Sequence, residues 1–249
     1  MDIPLETLAI VTGTFLIAGT VKGVIGMALP TVSLGLLAAT MGLKEAIVLM
    51  LVPSFVTNVW QGVVGGFLGE LLKRLWTVLA AMCVGIWFAT AALALDDTAW
   101  LAALLGLTLV AYAVFGLRTP ALPRAGRREP WLSPVMGGAT GVLAGLTGST
   151  VLPVVPYLQT LGLPRDMLIQ AMGICFSTAA LGIGVALGGR GLLPQDLGLL
   201  SVAGVVPALI GMAFGQRLRR RLSEQRFKQV FFVSTALLGA YIAARALLG

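Results

Sequence analysis

The sequence predicts an all-α polytopic membrane protein, and two features of its composition support this. Of its 249 residues, 58% are hydrophobic and 11% are charged, whereas a soluble domain has about 25% charged residues to cover its core. The mean hydropathy is +0.97, and apolar runs of about 20 residues, enough to cross a bilayer as a helix, separate the charged clusters. A soluble globular protein is therefore excluded.

Six of the apolar stretches are single crossings. They lie at 46–68, 75–95, 98–117, 166–187, 195–215 and 229–248. Two further stretches, 7–41 and 132–162, are too long for one crossing and are interrupted by glycine. Each predicts a glycine-broken helical hairpin, because backbone can leave the helix inside a bilayer only where protein or water satisfies it. We therefore expect 8 to 10 hydrophobic helical segments.

Clustered basic residues predict the orientation of these segments. Loops rich in Lys and Arg face the cytoplasm, and the sequence has three such clusters: Lys73 and Arg74; Arg118, Arg124, Arg127 and Arg128; and Arg217, Arg219, Arg220, Arg221, Arg226 and Lys228. Asp96 and Asp97 then lie outside. Following the crossings from these anchors makes hairpin 7–41 begin and end outside and hairpin 132–162 begin and end inside. Both chain termini are predicted to be external.

The two hairpins resemble each other, which predicts an internal repeat. Three glycines of the first hairpin, Gly19, Gly23 and Gly26, match Gly141, Gly145 and Gly148 at a constant offset, and Pro30 matches Pro153 with one residue inserted. Residues 1–120 form the first repeat, 121–131 a cytoplasmic linker and 132–249 the second repeat. Since each repeat has one hairpin and three crossings, the second is inverted. Inverted repeats with broken helices are typical of secondary transporters, whose substrate site lies near mid-membrane.

The glycine breaks, at Gly23–Gly26 and Gly145–Gly148, are the candidate substrate site. A half-helix that begins after a break presents free N–H groups and a positive dipole end, which favour an anion. Polar and flexible side chains lie beside both breaks: Lys22 and Met27 at the first, and Thr147, Ser149 and Thr150 at the second. Two alternatives stay open. Lys22 snorkels to an interface or sits in a shallow hairpin, and the hydroxyls bond back to their own helix.

Polar residues on the third helical segment of each repeat extend this candidate site. Ser54, Thr57, Asn58 and Gln61 share one helical face, and the second repeat offers Gln170, Ser177 and Thr178. Hydrogen bonding between helices is the alternative role for such a stripe. Glu45 and Asp166, at the starts of these segments, are the candidates for proton coupling. They are equally explained as acids that complement a helix dipole.

The composition also excludes several chemistries. The chain has no histidine, so His-based catalysis and His metal sites are ruled out. Cys83 and Cys175 are expected to be buried small hydrophobes. We expect no enzyme activity, no cofactor and no metal. We also expect no nucleic-acid partner, because the basic residues behind the net charge of +7 lie in short loops that orient the protein in the bilayer.

At the hairpins the chain resembles the TauE/SafE family of sulfite exporters and their relatives. The resemblance lies in Ala18–Gly26 and Ala139–Gly148, extends through the Pro30 and Pro153 segments to Gly42-Leu43 and Gly162-Leu163, and continues into residues 51–54. It implies transport of sulfite, organosulfonates such as sulfoacetate, or related organic acids. Family members often have glutamine near Lys22 and a Gly-Phe-Gly-Gly-like run where this chain has Gly26-Met27-Ala28. A cation at Lys22 favours a more negative or larger sulfonate or carboxylate.

Together these features predict a multi-pass transporter of small anions in the cell membrane, working by alternating access. A passive anion channel and a non-transporting membrane scaffold are the alternatives, and a membrane-embedded enzyme is disfavoured by the missing catalytic groups. The expected partners are a small anion and the lipid bilayer. The sequence leaves open whether protons take part and whether the protein forms a homo-oligomer.

Overall fold

The computed structural model describes residues 4–95, 98–118, 122–219 and 223–248, and these are helical throughout apart from their connections. Short 3-10 segments lie at Thr90–Ala94 and Gly126–Arg128. The α-helices of the described residues are, in chain order, α1 (Leu5–Ile25), α2 (Leu29–Thr40), α3 (Leu43–Val63), α4 (Leu68–Ala89), α5 (Ala99–Arg118), α6 (Glu129–Thr147), α7 (Val154–Thr160), α8 (Arg165–Gly189), α9 (Gln195–Ala203), α10 (Val205–Arg219) and α11 (Glu224–Leu248).

Seven helical segments in the described part of the chain are long and apolar enough to cross a membrane. They correspond to α1, α3, α4 with its 3-10 extension to Ala94, α5, α8, α9 with α10, and α11. Helix α2 is apolar but short, with 12 residues. The predicted all-α, multi-pass fold class is confirmed, whereas the inversion of the second repeat stays a prediction.

Several sequence boundaries were wrong at the helix ends. Lys73 and Arg74 lie within α4 and not in a loop. Helix α3 ends early because Gly65 and Gly66 adopt positive φ angles of 152° and 84°, which end a helix and let the next one begin at Leu68. The third basic cluster was also predicted to be a loop, but its described residues lie partly in helices: Arg217 is in the last turn of α10, and Arg226 and Lys228 are in α11.

Other predictions fall partly outside the described residues. Four charged residues used in the orientation prediction lie outside them: Asp96, Asp97, Arg220 and Arg221. The chain ends, which were predicted to be external, also lie outside them at residues 1–3 and 249. Of the cysteines, Cys175 is buried as predicted but Cys83 is exposed, because none of the described helices covers its face of α4.

The chain divides into two compact units, each assembled from segments of both predicted repeats. Unit 1 comprises Met1–Pro53, Asp96–Thr119 and Leu193–Gly249, and unit 2 comprises Ser54–Leu95 and Pro120–Leu192. Helix α3 therefore contributes its first half to unit 1 and its second half to unit 2. The predicted repeats are a pattern in the sequence, and the compact units do not follow their boundaries.

In unit 1, α1 runs parallel to α10 and α5 runs antiparallel to α11. Glycine allows both pairs to approach closely. A methyl group added at Gly19 would collide with the Ala208 carbonyl of α10, and one added at Gly106 would collide with the Gly239 carbonyl of α11. Helix α2 packs against α1 and α11. Backbone contact through small residues is the usual way in which membrane helices associate.

In unit 2, α6 runs parallel to α4 through the same kind of contact. Added methyl groups at Gly137 and Gly141 would collide with the carbonyls of Val78 and Met82. Helix α8 runs antiparallel to the second half of α3, where Gly62 and Gly173 bring the two backbones together. These relative directions, and those in unit 1, agree with the directions predicted from the loop charges, whereas the side of the membrane that each loop faces stays a prediction.

A proline inside α3 leaves one backbone carbonyl without its helical partner, and a serine from α9 bonds to it. Pro53 has no N–H, so the Leu49 carbonyl cannot accept the usual bond from four residues ahead. The Ser201 hydroxyl donates to that carbonyl at 2.8 Å and accepts the Val52 N–H at 3.2 Å. Ser201 is 1% exposed, so its hydroxyl is removed from bulk solvent.

Candidate functional site

The first helix break lies at Gly26–Ala28, in unit 1. Gly26 ends α1 with a φ angle of 87°, and its N–H donates to the Lys22 carbonyl at 2.7 Å. Ala28 also has a positive φ, 86°, before α2 begins at Leu29. The sequence placed the break from Gly23 onward, but Gly23 is helical because it packs against the backbone of α10 at Met212 and Gly215.

The second break follows Thr147, in unit 2. Gly148 has a φ angle of 77°, and its N–H donates to the Ala144 carbonyl at 2.8 Å, as at the first break. Gly145, predicted to be part of the break, is helical and contacts α4 near Ile86 and Ala89. The chain then stays irregular, and α7 begins only at Val154 and has seven residues. The expectation that a half-helix starts directly after the break was wrong here.

The packing register also locates the breaks relative to neighbouring spans. Gly23 lies beside Met212–Gln216, in the last two turns of α10, so the first break is level with the end of that span and not with its middle. Gly145 contacts Ile86–Thr90, which puts the second break beside the 3-10 segment that ends the α4 span. Both α1 and α6 continue as helix through their packing glycines. The position of the tips near mid-membrane stays a prediction.

Lys22 lies one turn before the first break and is buried. Its side chain is 4% exposed, so it does not extend to the protein surface as the snorkelling alternative requires. Met27, between the two positive-φ residues, is half-buried. A buried cation next to an irregular backbone is costly inside a membrane protein and is characteristic of a functional site.

Tyr112 of α5 contacts the first break and was missed by sequence reasoning. Its hydroxyl donates to the Met27 sulfur at 3.8 Å, and its ring packs edge-on against Phe232 of α11, with 5.5 Å between centroids. Tyr112 is 2% exposed. A single phenol within a long apolar crossing was the signal that could have identified it, since a buried Tyr hydroxyl usually has a partner.

At the second break the hydroxyls divide into two groups. Thr147 donates to the Leu143 carbonyl at 2.7 Å and accepts the Ser149 N–H at 3.2 Å, which is the back-bonding alternative. Ser177 of α8 likewise donates to the Gly173 carbonyl at 2.7 Å. Ser149, by contrast, has a buried hydroxyl without a hydrogen-bond partner among the described residues, and Thr150 is 5% exposed.

The polar stripe of α3 lies on a buried face. Ser54, Thr57 and Asn58 are each 1% exposed. The Thr57 hydroxyl donates to the Ser54 carbonyl at 3.3 Å. Within the described part of the chain, the Ser54 hydroxyl itself has no hydrogen-bond partner. Unit 2 therefore contains two buried serine hydroxyls, Ser54 and Ser149, that retain donor capacity.

The glutamines predicted to extend the stripe join helices α3 and α8. Gln61 donates to the Ile169 carbonyl at 2.8 Å. Gln170 donates to the Gly62 carbonyl at 2.9 Å and accepts the Phe67 N–H at 3.1 Å. The interhelical alternative accounts for both side chains.

Glu45 and Asp166 lie in the first turns of α3 and α8. Glu45 is half-buried and Asp166 is exposed. Their position fits acids that complement helix dipoles. Coupling of protons through either carboxylate stays a prediction.

Comparison with known proteins identifies the family. Residues 11–242 match the family described as Sulfite exporter TauE/SafE. Comparisons with curated proteins and with solved structures gave no match. The match extends from the first half of α1 to the last turns of α11, and so includes both helix breaks. The chain therefore belongs to the sulfite exporter TauE/SafE family, a family of membrane transporters and not an enzyme class.

Proposed function

We propose that this protein is a secondary transporter that moves small anions across the cell membrane by alternating access. Sulfite, organosulfonates and related organic acids are the proposed substrates. The family match and the seven apolar spans of the described chain support a transporter. The resemblance at the glycine breaks supports the substrate class.

The burial of Lys22 is the observation that carries the proposal. An ammonium group is destabilised when it is removed from water, and an anion bound beside it offsets that cost. The backbone after Lys22 leaves the helix at Gly26 and resumes at Leu29, so a small anion has irregular backbone as well as the cation to contact. In unit 1, Lys22, Gly26 and Met27 form the proposed anion contact.

Unit 2, considered by itself, offers buried hydroxyl donors to an oxyanion. The buried hydroxyls of Ser54 and Ser149 have no hydrogen-bond partner among the described residues, and a buried unsatisfied donor costs about 1–3 kcal/mol. Oxygens of sulfite or a sulfonate accept hydrogen bonds from hydroxyls. Binding of an oxyanion would satisfy these donors. Asn58, Gly148, Thr150 and Ser177 remain candidate contacts on the same unit.

The helix pairing within each unit supports the proposed inverted repeat. The matched glycines equate α1 with α6, and the order of helices within the predicted repeats equates α4 with α9–α10. In unit 1, α1 runs parallel to α10, and in unit 2, α6 runs parallel to α4. Each hairpin therefore pairs with the equivalent helix of the other repeat. A repeated arrangement of this kind is typical of carriers that alternate between two states. Cell-membrane location and external termini belong to the same proposal.

The test is counterflow in proteoliposomes containing the full-length protein. Vesicles are loaded with unlabelled sulfite, sulfoacetate or acetate, and uptake of the labelled anion is followed from a dilute external solution. We expect a transient, saturable accumulation with one of these anions, which requires exchange through a carrier. Flux that follows the gradient without accumulation would contradict alternating access and indicate a channel. Absence of exchange by folded protein with all three anions would contradict the substrate class.

A further inference from the structure

A groove in unit 2 lies where α4 begins beside the start of α6. Its volume is about 540 Å³. Arginine, hydroxyl and indole groups line it, chiefly Arg74, Trp76, Thr77, Arg127 and Ser133. None of these residues belongs to either helix break. The groove thus combines hydrogen-bond donors with an aromatic ring in a part of the protein that the proposed transport site does not use.

The two arginines of the groove have different surroundings. Arg74 makes two charge-assisted hydrogen bonds with the Glu129 carboxylate, at 2.7 and 2.8 Å, and also donates to the Leu161 carbonyl at 3.2 Å. This pair is electrically neutral and fixes one wall. Arg127 is exposed and forms no salt bridge with another described residue. The groove therefore carries one net positive charge, which suits a singly charged anion.

The turn that carries Arg127 is held in place. The N–H of Ala125 donates to the Thr160 carbonyl at the end of α7, at 3.0 Å, and Arg128 N–H donates back to the Ala125 carbonyl, also at 3.0 Å. Gly126 permits the turn with a φ angle of 50°. Arg127 is thus presented from an ordered turn, which reduces the entropy lost when an anion is bound.

Exposed indoles indicate that this groove lies at a membrane surface. Trp76 and Trp131 are 64% and 57% exposed, and they lie in the first halves of α4 and α6. Tryptophan concentrates at the headgroup level of bilayers. Lys73 and Arg128 add further positive charge near the same helix ends. Basic pockets between helix ends at this level bind the headgroups of anionic lipids.

We propose that the groove lined by Arg74, Thr77 and Arg127 binds the phosphodiester of an anionic phospholipid. The Arg127 guanidinium supplies the charge and a planar pair of donors. The Thr77 hydroxyl supplies a further donor. A lipid source is favoured over a soluble phosphate because the indoles that flank the groove match the headgroup region of a bilayer. The proposal does not depend on the identity of the transported anion.

The test measures lipid binding to the delipidated full-length protein by native mass spectrometry. Dioleoyl-phosphatidylglycerol is titrated against dioleoyl-phosphatidylcholine for the wild type, Arg127→Gln, Arg127→Lys and the control Arg118→Gln. Arg118 is an exposed arginine at the end of α5 in the other unit. We expect Arg127→Gln to weaken phosphatidylglycerol binding about fivefold, the effect of one basic residue near a lipid surface, with Arg127→Lys intermediate.

Three results would overturn the proposal. Equal phosphatidylglycerol binding by the wild type and Arg127→Gln would show that the groove is not the site. An equal loss in Arg118→Gln would show a general charge effect. Full competition by millimolar glycerol phosphate would show that the groove takes a soluble phosphate and not a lipid headgroup.

Discussion

Replacement of Ser201 by alanine tests whether the proline in α3 depends on its neighbour. The Ser201 hydroxyl donates to the Leu49 carbonyl at 2.8 Å and accepts the Val52 N–H at 3.2 Å. Alanine removes both bonds, and Pro53 cannot replace the first. Two interhelical hydrogen bonds in a membrane protein contribute about 0.6–1.7 kcal/mol each. We therefore expect Ser201→Ala to lower the free energy of unfolding by about 1–3 kcal/mol.

A double-mutant cycle isolates the role of the proline. In a Pro53→Ala background residue 53 has an N–H that bonds to the Leu49 carbonyl. Ser201→Ala should therefore cost at most about half of what it costs in the wild type. The free energy of unfolding is measured in mixed micelles by titration with a denaturing detergent. Ser33→Ala is the matched control, because among the described residues this buried hydroxyl bonds only to carbonyls of its own helix.

Two results of the cycle would contradict this reasoning. If the free energy of unfolding of Ser201→Ala lies within about 0.3 kcal/mol of the wild-type value, a change smaller than the effect of an average interhelical hydrogen bond, the two contacts do not stabilise α3. If its cost is the same with proline or alanine at position 53, the reasoning about the freed carbonyl is wrong.

Two further predictions concern unit 2. Gly141→Ala should lower the free energy of unfolding by about 1–3 kcal/mol because its methyl group overlaps the Met82 carbonyl. The control Gly138→Ala, with open space around it, should leave the free energy of unfolding unchanged or slightly raised. Equal effects of the two substitutions would contradict the α4–α6 packing. The Arg74 guanidinium holds the pKa of the Glu129 carboxyl below its usual range. The difference in unfolding free energy between the wild type and Glu129→Gln should therefore be constant above about pH 5. It should shrink as the pH falls below about 4, where Glu129 becomes protonated. A difference that grows on acidification would exclude this pair as the cause.

The membrane spans and the ends of α1 and α6 were predictable from local sequence. Apolar runs of sufficient length and the glycines Gly26 and Gly148, which adopt positive φ, are local signals. The roles of Gly23 and Gly145 were not predictable in the same way. A missing side chain suits a helix break and a close helix contact equally well, and only the position of α10 or α4 distinguishes them.

Long-range contacts account for most of what the sequence did not predict. Ser201 and Tyr112 are isolated polar residues in apolar runs, and their partners Leu49 and Met27 are distant in sequence. Thr147 and Ser177 carried the same signal as Ser149, yet the first two bond to their own helices. The division of the chain into units also depends on such contacts.

The most direct test of the central claim is the effect of Lys22 on anion affinity. Counterflow of the accepted anion is measured for the wild type, Lys22→Ala, Lys22→Arg and the exposed-lysine control Lys73→Ala, each shown to be folded by size-exclusion chromatography. We expect Lys22→Ala to raise the half-saturation concentration at least about tenfold, the loss of one charge-assisted contact of about 1.5–3 kcal/mol, with Lys22→Arg retaining part of the affinity and Lys73→Ala unchanged. Unchanged affinity and selectivity in folded Lys22→Ala would contradict the proposal that this buried lysine binds the transported anion.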